Sequence, residues 1–563
     1  MTAVLAPPFT QKTKSRGLSR RLFSIVPLVI VVLFSIPILT VVMNLLRQDE
    51  GTLHHLMQTV FFSYVVNSFT LLIGVVAGTC AVGVGAAWLV VLFRFPGRKI
   101  FEWALVLPLA IPAYITGYAY ADFFQSAGVV QTALRHVTGW TLRDYWFPDI
   151  RSLGGAIIIF ILALYPYVYL LARAAFLDQS ASAIEVARTL SRNKWKSFFH
   201  IALPLARPAL AAGLTLVAME TLADYGVVDY FGIPTLTVGV YRAWFSMGDH
   251  IASAQLASFL LMFIGAIILC ERLARGQRRF HGNSRRHAEV RGKALKGPKA
   301  LLASMACFMP LFVGFILPVI ILLRLAFLVG DAEFGHRYIV LVGNSVRLAG
   351  MAAVLAVVLA VFLVYGRRLY PQSLNRIGVI FASLGYAIPG SVIAVGVLLP
   401  FAWTDNAVDA FMRQHFGIST GLVLTGSLAA LVTAYLVRFL AVAVQAVDAG
   451  FAKISPAMDD AARALGAPPW RRLRQVHWPL LRRSVMAAGL LVFVDAIKEL
   501  PATMILQPFN FSTLAVQAHK LASDERLAEA STAALIIVLV GLLPVILIAR
   551  NMATARTLPR ILE

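Results

Sequence analysis

Apolar runs of about 20 residues, the length needed to cross a hydrocarbon layer of about 30 Å, recur along almost the whole chain. They lie near 22–46, 66–93, 101–124, 152–172, 208–228, 251–270, 300–328, 343–365, 377–401, 420–437, 484–506 and 531–549. No single soluble core holds so many. The composition agrees: 59% of the 563 residues are apolar and 14% charged, against about 45–50% and about 25% in soluble domains. The sequence therefore reads as an all-α membrane protein with 12 transmembrane helices. The first run follows Lys12, Lys14, Arg16, Arg20 and Arg21. It is too long for a secretory signal and has no small-residue cleavage site after it.

The net charge of +23 would suggest nucleic acid in a soluble protein. Here its placement has another explanation. Alternating the connections from a cytoplasmic N-terminus puts 1–21, 94–100, 173–207, 271–299, 367–376, 438–483 and 550–563 inside, and these hold 38 of the 50 Lys and Arg. With Glu102 counted beside its loop they hold only 9 of the 27 acids. The excess follows the positive-inside rule, with both termini cytoplasmic and no nucleic acid required. Cys80, Cys270 and Cys307 form neither a disulfide framework nor a metal-spaced set.

The chain also repeats itself. Asn67-Ser68 recurs as Asn344-Ser345 and Ile111-Pro112 as Ile388-Pro389, both 277 residues on. Glu185 to Leu190 matches Asp460 to Leu465 at an offset of 275, and Trp195, Pro204 and Arg207 match Trp470, Pro479 and Arg482 in the same register. The expected architecture is two parallel six-helix repeats joined by a basic cytoplasmic linker at 271–299.

Each repeat carries a cytoplasmic segment between its fourth and fifth spans with the signals of a short capped helix. Ser182 and Glu185 have capping-box spacing. In the second copy Ser455 is an N-cap, Pro456 a first-turn proline, Asp459 and Asp460 suit the positive helix end, and Gly466 with Pro468-Pro469 stops the helix. A lone helix of this kind often rests on lipid headgroups. Duplication with the same aromatic and basic residues following argues instead for docking onto a two-fold symmetric partner.

These two segments resemble the cytoplasmic signature of type I ABC importer permeases: Glu-Ala-Ala, three residues, Gly, nine residues, Ile, one residue, Leu-Pro. The first copy reads Glu185-Val186-Ala187, Ser191, Ile201-Ala202-Leu203-Pro204. The second reads Asp460-Ala461-Ala462, Gly466, Val476-His477-Trp478-Pro479. Val186, Ser191, Asp460 and Trp478 depart from the pattern. Leu222 to Gly226, Asp229 to Gly232 and Lys498 to Thr503 further resemble fused two-unit ferric-iron permeases. The resemblance implies a coupling helix in each repeat, with Glu185, Ala187, Arg188, Leu190, Ser191, Asp460, Ala462, Arg463, Leu465 and Gly466 facing a separate ATPase. It implies two copies of that ATPase, which would bind ATP and Mg, a periplasmic substrate-binding protein and a bacterial inner-membrane location.

The division that follows is a tail with the first transmembrane helix (1–60), a first permease unit (61–270), the linker (271–299), the seventh transmembrane helix (300–335), a second permease unit (336–550) and a cytoplasmic tail (551–563). The chain has no Gly-x-x-x-x-Gly-Lys-Ser/Thr, so it is expected to couple without hydrolysing and to hold no cofactor of its own. A 12-helix secondary transporter would have no use for paired coupling helices, and no nucleophile–base pair or metal cluster suggests an intramembrane enzyme. Permeases for thiamine, phosphonate or polyamine would share this architecture.

Acids within the spans point to a cation. Glu220 and Asp224 are four apart, and Asp495 and Glu499 repeat the spacing 275 residues later. Carboxylates at that depth cost several kcal/mol unless they face a bundle interior or a wet cavity. With Tyr225, Asp229 and Tyr230 they are the expected substrate path for a hard cation such as ferric iron. Pairing with Lys498, Arg347 or Arg324 is the alternative. No metal ligand set is assigned.

Overall fold

The computed structural model describes residues 14–47, 51–178, 202–275, 293–329, 336–370 and 374–554. Among these, ten helices are long and apolar enough to cross a membrane, or eleven if one bent pair counts as a single span. In the first part of the chain the principal helices are α1 Lys14–Met43, α2 Phe61–Leu92, α3 Ala113–Phe124, α4 Leu153–Asp178, α5 Leu203–Ala223, α6 Gly226–Tyr230, α7 Leu236–Tyr241 and α8 His250–Arg275. After them come α9 Pro298–Leu311, α10 His336–Leu369, α11 Gly390–Phe416, α12 Leu428–Phe451, α13 Pro456–Ala464, α14 Trp478–Lys498, α15 Pro501–Leu506, α16 Leu514–Ser523 and α17 Leu527–Thr554. Outward-facing Phe62, Ile73, Leu301, Val354 and Leu539 remain exposed, as side chains solvated by lipid do.

Four expected spans are not straight. The run at 101–124 bends by 89° between Arg98–Ala110 and Ala113–Thr138. Pro112 has no N–H to give and holds Ile111 extended at φ −103, ψ 121. Pro389 caps α11 at φ −58, ψ 144, so the run at 377–401 is a short helix, Leu374–Leu384, a 3-10 turn, Gly385–Ala387, and after a break α11. The spans expected at 208–228 and 484–506 stop at Ala223 and Lys498, and each restarts as a short helix, α6 or α15. With Arg482, Arg483, Asp495 and Lys498 in its sequence, α14 is not one of the ten apolar helices.

The chain divides into two compact units. The smaller comprises Met1–Ile36, Gly350–Tyr386 and Tyr435–Phe493. Within its described residues, α13 is held at the end of the bundle by side chains from α10 and from the turn before α14. The larger comprises Pro37–Ala349, Ala387–Ala434 and Val494–Glu563. Its densest packing is α2 against α4. A Cβ on Gly83 would lie 2.8 Å from Val168 Cβ and 2.9 Å from the Tyr165 carbonyl, so the close approach of these helices requires glycine there. Glu102 and Arg173, both about nine-tenths buried, form an ion pair in this unit. Removing one member of such a pair costs about 3–5 kcal/mol. A two-residue parallel pairing, Phe93–Arg94 with Lys293–Ala294, is the one strand contact among the described residues.

Candidate functional site

The smaller unit presents α13, the second of the expected coupling helices. Its ends follow the sequence signals: the Ser455 hydroxyl accepts from the Ala457 N–H at 3.3 Å, Pro456 opens the first turn, and Gly466 closes the helix at φ 75. Asp459 turns inward. Arg368 Nε donates to its carboxylate at 2.6 Å, and the same guanidinium donates to the carbonyls of Phe451 and Ile454 at 2.8 Å each. His477 Nε2 lies 2.7 Å from the other carboxylate oxygen. Burial pushes the His477 pKa below the usual histidine range, against the opposing pull of Asp459. On the outward side Asp460, Arg463, Leu465, Gly466 and Trp470 are exposed and Ala462 is half-buried. The arrangement is a rigidly anchored helix with its signature residues facing out. Glu185, Ala187, Arg188, Leu190 and Ser191 lie outside the described residues.

The larger unit holds the expected path residues, and several have structural duties. Asp224 is not on the α5 face with Glu220. It sits past the helix end at φ −71, ψ 135, where its carboxylate accepts the Val227 N–H at 2.8 Å and caps α6. Glu499 caps α15 in the same way, accepting from Ala502 N–H at 3.0 Å. Such caps stabilise a helix start by roughly 0.5–2 kcal/mol. Asp495 pairs with Lys498 at 3.2 Å, the ion-pair alternative, while the Glu220 carbonyl accepts the Asp224 N–H at 3.1 Å and its carboxylate takes part in no hydrogen bond or ion pair among the described residues.

The chain returns from α6 and α15 through matching hydrogen bonds. Asn67 donates to the Pro234 carbonyl at 3.0 Å and Asn344 to the Ser512 carbonyl at 3.2 Å. Ser68 accepts from Leu236 N–H at 3.0 Å and Ser345 from Leu514 N–H at 2.8 Å. Thr235 and Thr513 cap α7 and α16 through Val238 and Val516, both at 3.4 Å. The two returning arms touch where Gly226 passes Leu500. A Cβ on Gly226 would meet Tyr114 Cβ at 2.6 Å and Leu500 Cδ2 at 2.9 Å.

Tyr225, Asp229 and Tyr230 join residues that sequence reasoning missed. His519, from α16, lies with Nδ1 2.6 Å from the Tyr118 hydroxyl and Nε2 3.4 Å from Asp229 Oδ2. Tyr225 stacks on Tyr241 with ring centroids 3.7 Å apart and lies tilted against the His519 ring at 5.5 Å. Arg151 donates to the Tyr230 hydroxyl at 2.9 Å, and its guanidinium lies 4.7 Å above the Tyr230 ring. It also binds Glu525 through two hydrogen bonds, at 2.7 and 3.0 Å.

Residues 352–556 match the family of binding-protein-dependent transport system inner membrane components. The chain is similar to ABC importer permease subunits along most of its length. It is 25% identical to an Fe(3+)-transport system permease protein of Haemophilus influenzae, over 86% of this permease and 89% of that one. A ferric transport system permease protein of Actinobacillus pleuropneumoniae is 22% identical over 72% of the chain and 59% of its own length. The molybdenum transport system permease protein of Escherichia coli is 28% identical over 39% of this chain but 93% of itself, so the permease has room for two units of that size. It is a multi-pass membrane protein whose residues 352–556 carry the match to the permease family, and along most of its length it is similar to a ferric-transport permease.

Proposed function

We propose that this permease carries ferric iron across the inner membrane, receiving it from a periplasmic binding protein and drawing its power from two copies of a separate ATPase. Both termini lie in the cytoplasm, and the chain itself holds neither ATP nor Mg. The observation that carries the coupling half of this reading is α13. Its inward carboxylate is fixed by Arg368 beside His477, while Asp460, Ala462, Arg463, Leu465 and Gly466 form its outward side. A helix so anchored transmits a push instead of yielding to it. Glu185, Ala187, Arg188, Leu190 and Ser191 take the same role in the first repeat. The substrate half is supported by the ferric-transport names of relatives that align along most of the chain.

Ala462→Arg tests the coupling. A bulky charge overfills a docking groove at a cost of about 1–3 kcal/mol. The ATPase should no longer co-purify and uptake should fall, with membrane insertion unchanged. Normal association and uptake would return α13 to the role of a headgroup-bound helix.

A further inference from the structure

The hydroxyl, carboxylate and imidazole groups around Asp229 come from widely separated parts of the chain, and the caps and tethers that shape the arms do not require them. His519 is 3% exposed, yet its Nε2 faces a carboxylate oxygen at 3.4 Å. The Asp229 side chain remains 30% exposed, so the pair opens onto accessible space. If the Tyr118 hydroxyl accepts the Nδ1 proton, Nε2 turns its lone pair toward Asp229. Two electron-rich atoms then face each other and call for a positive charge between them. If Tyr118 donates, Nε2 carries the proton and gives Asp229 an ordinary hydrogen bond, so the tautomer in which Tyr118 accepts is the one that leaves a place for a cation.

The spacing suits a metal ion. Donors 3.4 Å apart can share a cation about 2 Å from each. Tyr118 is to His519 what a hydroxyl or carboxylate behind a ligating histidine is in metal sites: it fixes the ring and directs Nε2. Carboxylate, phenol and imidazole form a hard donor set. The Tyr225 ring lies against His519 with centroids 5.5 Å apart, which brings a phenol beside the pair.

We propose that Asp229, His519 and Tyr225 form a transit site for the ferric cargo, with Tyr118 as positioning residue. This rests on the ferric-iron reading above. Tyr230 borders the site: it accepts from Arg151, whose charge Glu525 balances, and packs edge-on against Tyr118 with ring centroids 4.7 Å apart.

The test uses the permease with its ATPase and binding protein in proteoliposomes, with iron supplied to the binding protein as ferric nitrilotriacetate. Asp229→Asn and His519→Gln should each cut uptake by about a hundredfold and Tyr118→Phe by about tenfold. ATP hydrolysis stimulated by the binding protein should stay within about twofold. Ferric ion on the purified permease should give a visible phenolate-to-iron charge-transfer band that Tyr225→Phe removes, a readout independent of turnover. Uptake within about twofold of the unsubstituted protein in both Asp229→Asn and His519→Gln, or a band that survives Tyr225→Phe, would overturn the site while leaving iron as cargo. An unsubstituted complex that imports no ferric iron would overturn the cargo reading and the site with it.

Discussion

The two arms that follow α5 and α14 share a backbone design and differ in chemistry. In both, a carboxylate caps the short helix, an asparagine and a serine hold the returning strand of chain, and a threonine starts the next helix. Yet Tyr225, Asp229 and Tyr230 of the first arm stand where the second, 275 residues on, has Leu500, Met504 and Ile505. At an offset of 278, Tyr241 corresponds to His519. Hydrogen-bonding side chains that shape the backbone are present twice, whereas the groups able to meet a cation gather on the first arm and are completed by one histidine from the second. Of the expected path residues, Asp224 and Glu499 belong to the shared backbone design and Tyr225, Asp229 and Tyr230 to the one-sided cluster.

Substituting matched positions breaks the comparison most sharply. Asp229→Ala should lower iron uptake by about a hundredfold, while Met504→Ala should leave it within about twofold. Equal losses would mean that both arms line the path. The shared design predicts the reverse pattern in stability. Ser68→Ala and Ser345→Ala each leave a buried N–H unpaired, so each should cost about 1–3 kcal/mol in detergent unfolding, and the two losses should agree.

A smaller effect separates the acids on α5 and α14. Asp495→Asn removes the partner of Lys498 and should destabilise by about 1 kcal/mol or less, whereas Glu220→Gln removes a carboxylate with no described partner and should be neutral or stabilising. Thermal melts of the two variants give the sign. The smallest effect concerns the anchor of α13. His477 is held neutral, with a folded pKa below its ordinary 6.5, so the unfolded chain binds more protons below that value. The anchor should be at full strength above pH 6.5 and weaken as pH falls below it, and His477→Gln should flatten the response of ATPase co-purification to pH.

Much of the scaffold was legible because its residues are close to what they shape. Ser455-Pro456 and Gly466 bound α13 as read. The Asn-Ser pairs, recognised only as repeats, turn out to be tethers. Ile-Pro at 111–112 and 388–389 carried a break signal, since proline expels the residue before it from the helical region, but in apolar runs it was read as continuous span. The spacing of Asp224 and Glu499 points to path residues and says nothing of their capping; Pro501 in the first turn after Glu499 is the helix-start signal for that cap, and Asp224 has no such signal. Tyr118, Arg151, His519 and Glu525 had no local signal. Arg151 and Glu525 are separated by 374 residues and Tyr118 and His519 by 401, and only the folded chain brings them together.

ATP-driven uptake tests the account most directly. The permease, reconstituted with its ATPase and with iron-loaded binding protein outside, should accumulate ferric iron only when ATP is inside, and Ala462→Arg should abolish accumulation without removing the permease from the membrane. Accumulation that proceeds without ATP, driven by an ion gradient and indifferent to Ala462→Arg, would contradict it.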